Sequence, residues 1–243
     1  MNGRGVGHPT GHRGAEVRAL FDRIAGRYDL LNHLLSMGID RRWRRQLADE
    51  VAHPEPRLIL DLCTGTGDMA VELARPERGL ASVVAVDFSP AMIALAARKL
   101  ARAGLRARVQ PCVGDALRLP FSDGVFDAVT VAFGIRNFEH TARGLAEAAR
   151  VLRPGGLLGV LEFLRPSDAN PLTGLGALYR RHFLPLIATL AGGDPGAYRY
   201  LPTTVDRFDS ATEMTTRLAS LGFDRTQVRP LTLGIASLIL ARR

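Results

Sequence analysis

Three aspartates stand at the ends of short apolar runs: Asp61 after "RLIL", Asp87 after "SVVAV" and Asp115 just past "ARVQPCV". Gly65 and Gly67 follow the first, inside "DLCTGTGD". Glycines there allow a tight turn and close ligand approach, and a following helix would aim its first N–H groups at the ligand. Asp61, placed before the glycines, suits a cationic group such as an ammonium and repels a pyrophosphate. Asp87, about 20 residues past the glycine turn, is spaced to accept the hydroxyls of a ribose. Asp115 could accept the exocyclic amine of adenine. Ammonium, ribose diol and adenine together are the recognition handles of S-adenosylmethionine. Gly65, Gly67, Ala70 and Asp87 also satisfy the relaxed dinucleotide pattern G-x-G-x-x-A, so a nicotinamide-dependent oxidoreductase stays open at this point. Singly, each acid could equally be a helix cap or a solvated turn.

A second constellation closes the run "FDAVTVAFGIRNF". Val129, Val131 and Phe133 are core-filling types, yet Gly134 is followed by Arg136 and Asn137. A fixed cation and an amide there are either a solvated loop or a substrate site. Guanidinium stays protonated, so Arg136 is unsuited to be a base and suited to stabilising a developing oxyanion.

These residues need a frame to hold them. Apolar runs at 57–63, 82–88, 107–114, 126–134 and 156–163 alternate with helical patterns at 67–74, 89–103 and 141–152. Ser89 and Pro90 are N-cap and first-turn types. "RPGG" closes the last of these helices, and Pro111 marks its strand as irregular or at an edge. Near-continuous apolar strands alternating with helices predict a mostly parallel α/β sheet covered on both faces, with ligands outside the strands' carboxyl ends. The end, 223–243, offers two strand-like runs around Gly234, an antiparallel pair. Helical patterns precede the sheet at 16–28 and 31–51, the second interrupted near Gly38. Another helical stretch, 167–221, interrupts it after the fifth strand. The expected organisation is a flexible tail at 1–14 and one domain at 15–243. Within that domain lie N-terminal helices (15–51), a cofactor-binding core (57–163), a helical insertion or lid (167–221) and a terminal strand pair (223–243).

Composition narrows the partners. The 243 residues are 47% hydrophobic and carry a net charge of +8, which favours anionic partners. Aromatics make up only 6%, too few for a prominent stacking surface, and the acidic strand ends speak against a nucleic-acid-binding module. Two distant cysteines, Cys63 and Cys112, make neither a disulfide framework nor a zinc site, and no metal is expected. "DRRWRRQ" reads either as a solvated helix face with Trp43 packed inward or as a patch that meets phosphate head groups. No run of about 18 apolar residues occurs, so nothing is expected to span a bilayer.

"DLCTGTGD", "VVAVDFSPAM", "GDALRLPF", "FDAVTVAFGIRN" and "EAARVLRPGGLLGVLEF", in that order, resemble a class I S-adenosylmethionine-dependent methyltransferase, a Rossmann-like fold with a seven-stranded sheet. More narrowly, "FDRIAGRYDLLNHLLSMGIDRRWRR", "FGIRN" and "AYRYLPTTVDRF" resemble the quinone C-methyltransferases of menaquinone and ubiquinone synthesis, from about Val17 to the C-terminus. The resemblance implies S-adenosylmethionine held by Asp61, Gly65, Thr66, Gly67, Asp87, Phe88, Asp115, Ala116 and Ala132. The resemblance also implies departures: some members have a hydroxyl at the position of Ala132, the usual methyltransferase loop has a glycine where this chain has Cys63, and relatives often carry proline where it has Asp209.

The implied reaction is methyl transfer to a ring carbon of a polyprenyl naphthoquinol, demethylmenaquinol to menaquinol. The alternative is a benzoquinol of the ubiquinone pathway or another small molecule. Arg136 and Asn137 are the expected catalytic pair. Tyr28, Asn32, His182, Tyr198 and Tyr200 are expected against the quinol, with a water or His182 taking the proton. Such a substrate predicts a cytoplasmic enzyme in peripheral contact with an anionic membrane face; a homodimer is left open.

Overall fold

The computed structural model describes residues 18, 19, 22, 23, 25, 36–53, 55–165, 204, 205 and 207–243. Tyr28, Asn32, His182, Tyr198, Tyr200 and nearly all of the expected lid up to residue 206 lie outside the described residues.

Among the described residues, helix α1 (Ile39–Val51) leads into β1 (Leu58–Leu62), α2 (Asp68–Leu73), β2 (Ser82–Asp87), α3 (Pro90–Arg102), β3 (Val109–Val113) and β4 (Phe126–Ala132). Helix α4 (Thr141–Val151), β5 (Leu152–Glu162), α5 (Ala211–Ser220), β6 (Asp224–Leu231) and β7 (Ala236–Arg242) complete the order. The seven strands form one sheet in the order β3-β2-β1-β4-β5-β7-β6. β1 to β5 pair in parallel, and β7 runs antiparallel to both β5 and β6. The order reverses between β1 and β4, so the crevice beyond their carboxyl ends is where such a sheet binds ligands.

Alternate strand residues feed two apolar layers. Leu60, Leu62, Val129 and Val131 pack on the α4 and α5 side, against Leu145, Ala148 and Met214. Ile59, Ala85, Ala128 and Leu161 pack on the other side, against Leu47 of α1 and Met69 and Leu73 of α2. Burial on both faces explains why these strands read as nearly unbroken apolar runs. The α1 helix buries Trp43, Leu47 and Val51 along one stripe, as three- and four-residue spacing requires. Gly159 of β5 lets α1 approach, because a Cβ there would press on Leu47 and Val51.

The local signals hold at several boundaries. Gly38, at φ 76°, caps α1 and is the interruption read in the sequence. The Ser89 hydroxyl accepts from Met92 N–H at 3.1 Å, with Pro90 opening α3; such a cap contributes about 1 kcal/mol. β3, with Pro111, is an edge strand. One boundary differs. "RPGG" does not stand between helix and strand, because β5 already begins at Leu152. Phe126 pairs with Leu152 and Ala128 with Leu157, so Arg153 to Gly156 bulge out of the ladder and Gly155 turns at φ 74°.

Candidate active site

The carboxyl ends of β1 to β4 open onto a cavity of about 600 Å³, within the range of small-molecule sites. Asp87, the last residue of β2, lines it and is 6% exposed. Its Oδ2 accepts from Gly65 N–H and its Oδ1 from Ser89 N–H, both at 2.9 Å. Burial nevertheless pushes its pKa above the ordinary value, against the lowering by the Ser89, Gly65 and Phe88 N–H groups. An ionised carboxylate has about four acceptor sites, so the two N–H bonds leave capacity for a vicinal diol. Asp115 lines the cavity beyond β3, with Oδ1 accepting from Leu117 N–H at 2.8 Å in a local turn that also places Ala116. Phe88 and Met92 supply apolar wall on the same side.

The turn after β1 is built on left-handed backbone. Cys63, Gly65 and Gly67 have φ of 53°, 57° and 88°. Asp61 stands behind this turn, fully buried. It accepts from the Thr64 hydroxyl at 2.6 Å and, across the switch point, from the Thr130 hydroxyl at 2.7 Å. Burial pushes its pKa up to about 6. Thr66 accepts from Lys99 Nζ of α3 at 3.1 Å. At Gly67 a Cβ would come within 3.1 Å of the Ala96 Cβ, so the glycine lets α3 close on the turn. Burial also pushes the Cys63 thiol well above its ordinary pKa, with Asp87 and Asp61 adding to it; such a thiol is a wall residue and a poor nucleophile.

The turn after β4 forms the facing wall. Ala132, Phe133, Gly134 and Asn137 line the cavity, Phe133 at φ 60°. Arg136 turns away, 8% exposed. Its Nη1 donates to Glu162 Oε1 at 2.6 Å and to the Phe133 carbonyl at 2.9 Å. The Phe133 ring joins Trp43 and Phe163, with centroids 6.1 and 4.8 Å away, and the Arg44 guanidinium lies 5.4 Å from its centre. Arg44 is buried and paired with Asp40, whereas Arg41, Arg42 and Arg45 are exposed. The basic run thus turns Arg44 inward and leaves Arg41, Arg42 and Arg45 exposed.

From the N-terminal side, Arg18, Ala19 and Asp22 reach the cavity, and Asp22 accepts a hydrogen bond from the Ser89 hydroxyl. The cavity wall therefore carries the carboxylates of Asp22, Asp87, Asp115 and Glu139 against the single cation of Arg18, among the described residues. That balance suits a sulfonium and an ammonium and disfavours a pyrophosphate. With the acceptor capacity of Asp87 and the glycine turn, the residues fit S-adenosylmethionine.

Seven of the expected site residues thus meet at one cavity: Gly65, Asp87, Phe88, Asp115, Ala116, Ala132 and Asn137. Asp61, Thr66, Gly67 and Arg136 do not line it; they hold the turns that do. Sequence reading missed Asp22 and Glu162. Only Glu162 left a signal, as the lone acid ending the apolar run "GLLGVLEF".

The family model described as the ubiE/COQ5 methyltransferase family matches residues 10–243. The chain belongs to this family. A demethylmenaquinone methyltransferase of Deinococcus radiodurans is 47% identical over 93% of this chain and 92% of its own length. One of Thermus thermophilus is 46% identical over 92% of this chain and 100% of its own. A ubiquinone/menaquinone biosynthesis C-methyltransferase of Geobacter sulfurreducens is 41% identical over 93% and 88%. Among solved structures, the [4+2]-cyclase SpnF superposes with a TM-score of 0.72 at 18% identity, each chain covered to 97%. A SAM-dependent methyltransferase of Aquifex aeolicus gives 0.58 at 18%, over 95% of this chain and 98% of its own. These structural likenesses establish the fold. Cys63 takes up left-handed backbone, and Asp209 is held by Arg217 through two bonds of 2.7 and 2.9 Å.

Proposed function

We propose that this methyltransferase carries a methyl group from S-adenosylmethionine to a ring carbon of demethylmenaquinol. The observation that carries the reading is the likeness, over more than nine-tenths of the chain, to two proteins named for that activity. The cavity supports it. Its Asp87 and Asp115 side suits ribose and adenine, and its Ala132 to Asn137 side is left for the acceptor.

Bound S-adenosylmethionine supplies an electrophilic methyl carbon on a sulfonium. The chain has to hold a weak carbon nucleophile in line with that methyl, keep bulk water out, take up the phenolic proton that activates the ring, and then let the hydrogen of the methylated carbon leave as a proton so that the ring regains aromaticity and the phenol is restored. Phe133 and Phe138 give the apolar wall. The Asn137 amide can hold a quinol oxygen or a water that takes its proton.

Among the described residues, no helix is long and apolar enough to cross a membrane. Exposed Arg41, Arg42 and Arg45 on α1 support a second element of the proposal, contact with an anionic bilayer where a polyprenyl quinol resides. Flotation with phosphatidylglycerol liposomes at low salt tests that element, and absence of binding overturns it.

The deciding experiment is methyl transfer from labelled cofactor to a panel of reduced naphthoquinones and benzoquinones. Turnover on demethylated naphthoquinols supports the proposal. Turnover on benzoquinols alone assigns the chain to the other quinone, a reading that the Geobacter relative's double name keeps in view. No turnover on either class overturns both.

A further inference from the structure

Glu162 ends β5, is wholly buried and lies behind the cavity wall, not in it. Its Oε1 accepts from Arg136 Nη1 at 2.6 Å and from Phe163 N–H at 2.8 Å, and its Oε2 accepts from Arg136 N–H at 3.4 Å. Arg136 Nη1 also donates to the Phe133 carbonyl at 2.9 Å. Phe133 N–H donates to Leu161 O at 2.7 Å, one residue before Glu162. Three of these links fasten one short segment, Phe133 to Asn137, to the end of the neighbouring strand, and the bond from Arg136 to the Phe133 carbonyl closes that segment on itself.

That segment needs fastening. Phe133 is a non-glycine residue at φ 60°, a conformation that persists only where its surroundings enforce it. It directly precedes Gly134 and the tight turn Ile135–Asn137, whose last residue lines the cavity. Arg136 Nε is buried without a hydrogen-bond partner, so the guanidinium is incompletely satisfied even with Glu162 beside it. A buried ion pair of this kind is by itself weak evidence of a stabilising role.

We infer that Glu162 is a positioning residue. Through the Arg136 guanidinium it fixes the strained turn after β4 and so places Phe133 and Asn137 against the methyl acceptor. Arg136 then acts on the reaction through the turn, not by touching the acceptor.

The inference rests on the reading of the cavity as a methyl-transfer site. Glu162→Gln keeps an acceptor of the same shape and removes the charge that pairs with Arg136. With a short-chain demethylmenaquinol, kcat should fall about 10- to 100-fold, the cost expected of a misplaced reacting geometry. S-adenosylhomocysteine affinity should stay within about threefold, because Asp87 and Asp115 are held by other strands. Glu162→Asp should recover part of kcat. The double variant Glu162→Gln, Arg136→Gln removes both buried charges, which guards against a misfolded single variant, and should lose no more than the worse single. A folded Glu162→Gln enzyme with wild-type kcat overturns the inference. So does a parallel loss of kcat, cofactor affinity and melting temperature, which marks a purely structural pair.

If the wild-type enzyme methylates no quinol, the reading of the reaction fails separately. The pair is then judged by amide hydrogen exchange. Faster exchange confined to residues 133–138 in Glu162→Gln supports the positioning role, and unchanged exchange there overturns it.

Discussion

The side chain of Cys63 fills the space that Gly134 leaves open: a Cβ at Gly134 would overlap the Cβ of Cys63 and come within 3.0 Å of its sulfur. The two residues lie in the turns just after adjacent strands, β1 and β4, and both line the cavity. Cys63 sits at φ 53°, where a glycine costs nothing. The chain thus carries one side chain and one glycine at a contact that has room for a single Cβ.

Gly134→Ala should therefore destabilise the fold by about 1–3 kcal/mol, the usual cost of overpacking. Cys63→Gly with Gly134→Ala should recover most of that loss, because it moves the side chain to the other strand. Urea denaturation of the three variants measures both. A Gly134→Ala protein as stable as wild type would show that the turn simply shifts.

Asp87→Ala should weaken S-adenosylhomocysteine binding about 10- to 100-fold, taking bonds to a charged acceptor at about 1.5–3 kcal/mol. Isothermal titration calorimetry reads it directly. Unchanged affinity would remove Asp87 from the cofactor site.

The pH dependence of stability should carry a signature of Asp61. Burial raises its pKa in the folded state from 3.8 to about 6. The folded protein then holds this proton at pH values where the unfolded chain has released it, so stability falls as pH rises through that window. The loss is complete above pH 6 and on the order of 3 kcal/mol. Asp61→Asn can still bond both threonine hydroxyls and should flatten the slope between about pH 4 and pH 6. Denaturation midpoints across that range decide it, and an unaltered slope in the variant would assign the effect to another group.

Asp22 meets the Ser89 hydroxyl at the N-terminus of α3, beside Asp87, the carboxylate proposed for ribose. Asp22→Ala should speed release of S-adenosylhomocysteine several-fold in stopped-flow measurements. Its side chain is exposed by 38%, so stability should change by no more than about 0.5 kcal/mol. Equal release rates would show that this contact does not retain the ligand.

Much of the frame was legible because its signals are local. Ser89 and Pro90 announce α3, and the unbroken apolar runs announce a sheet buried on both faces. Asp87 and Asp115 could be placed because a parallel sheet puts every strand's carboxyl end at one edge. What could not be read is which way a side chain at that edge turns. Arg136 and Asn137 are neighbours in sequence, yet one enters the wall and the other lines the cavity. That division depends on Glu162, which lies 26 residues away on another strand. Asp61 was likewise expected at the ligand, and the partners that occupy it include Thr130, at a separation of 69 residues. Spacing also gave no hint that "RPGG" would bulge from β5, since the bulge is defined only by β4 beside it.

The placement of β7 bears on how the chain folds. β7 follows β6 in sequence, but it lies between β5 and β6 in the sheet. While the polypeptide is being synthesised, β5 has an open edge along Leu157 to Glu162, which only the later arrival of β7 covers. An uncovered apolar edge of this kind invites pairing with another chain. β5 also meets its partner across roughly eighty residues of intervening sequence, a separation that slows folding. The segment carrying Glu162 therefore keeps one edge open until β7 arrives, while its bonds to the turn after β4 can form from the earlier strands alone.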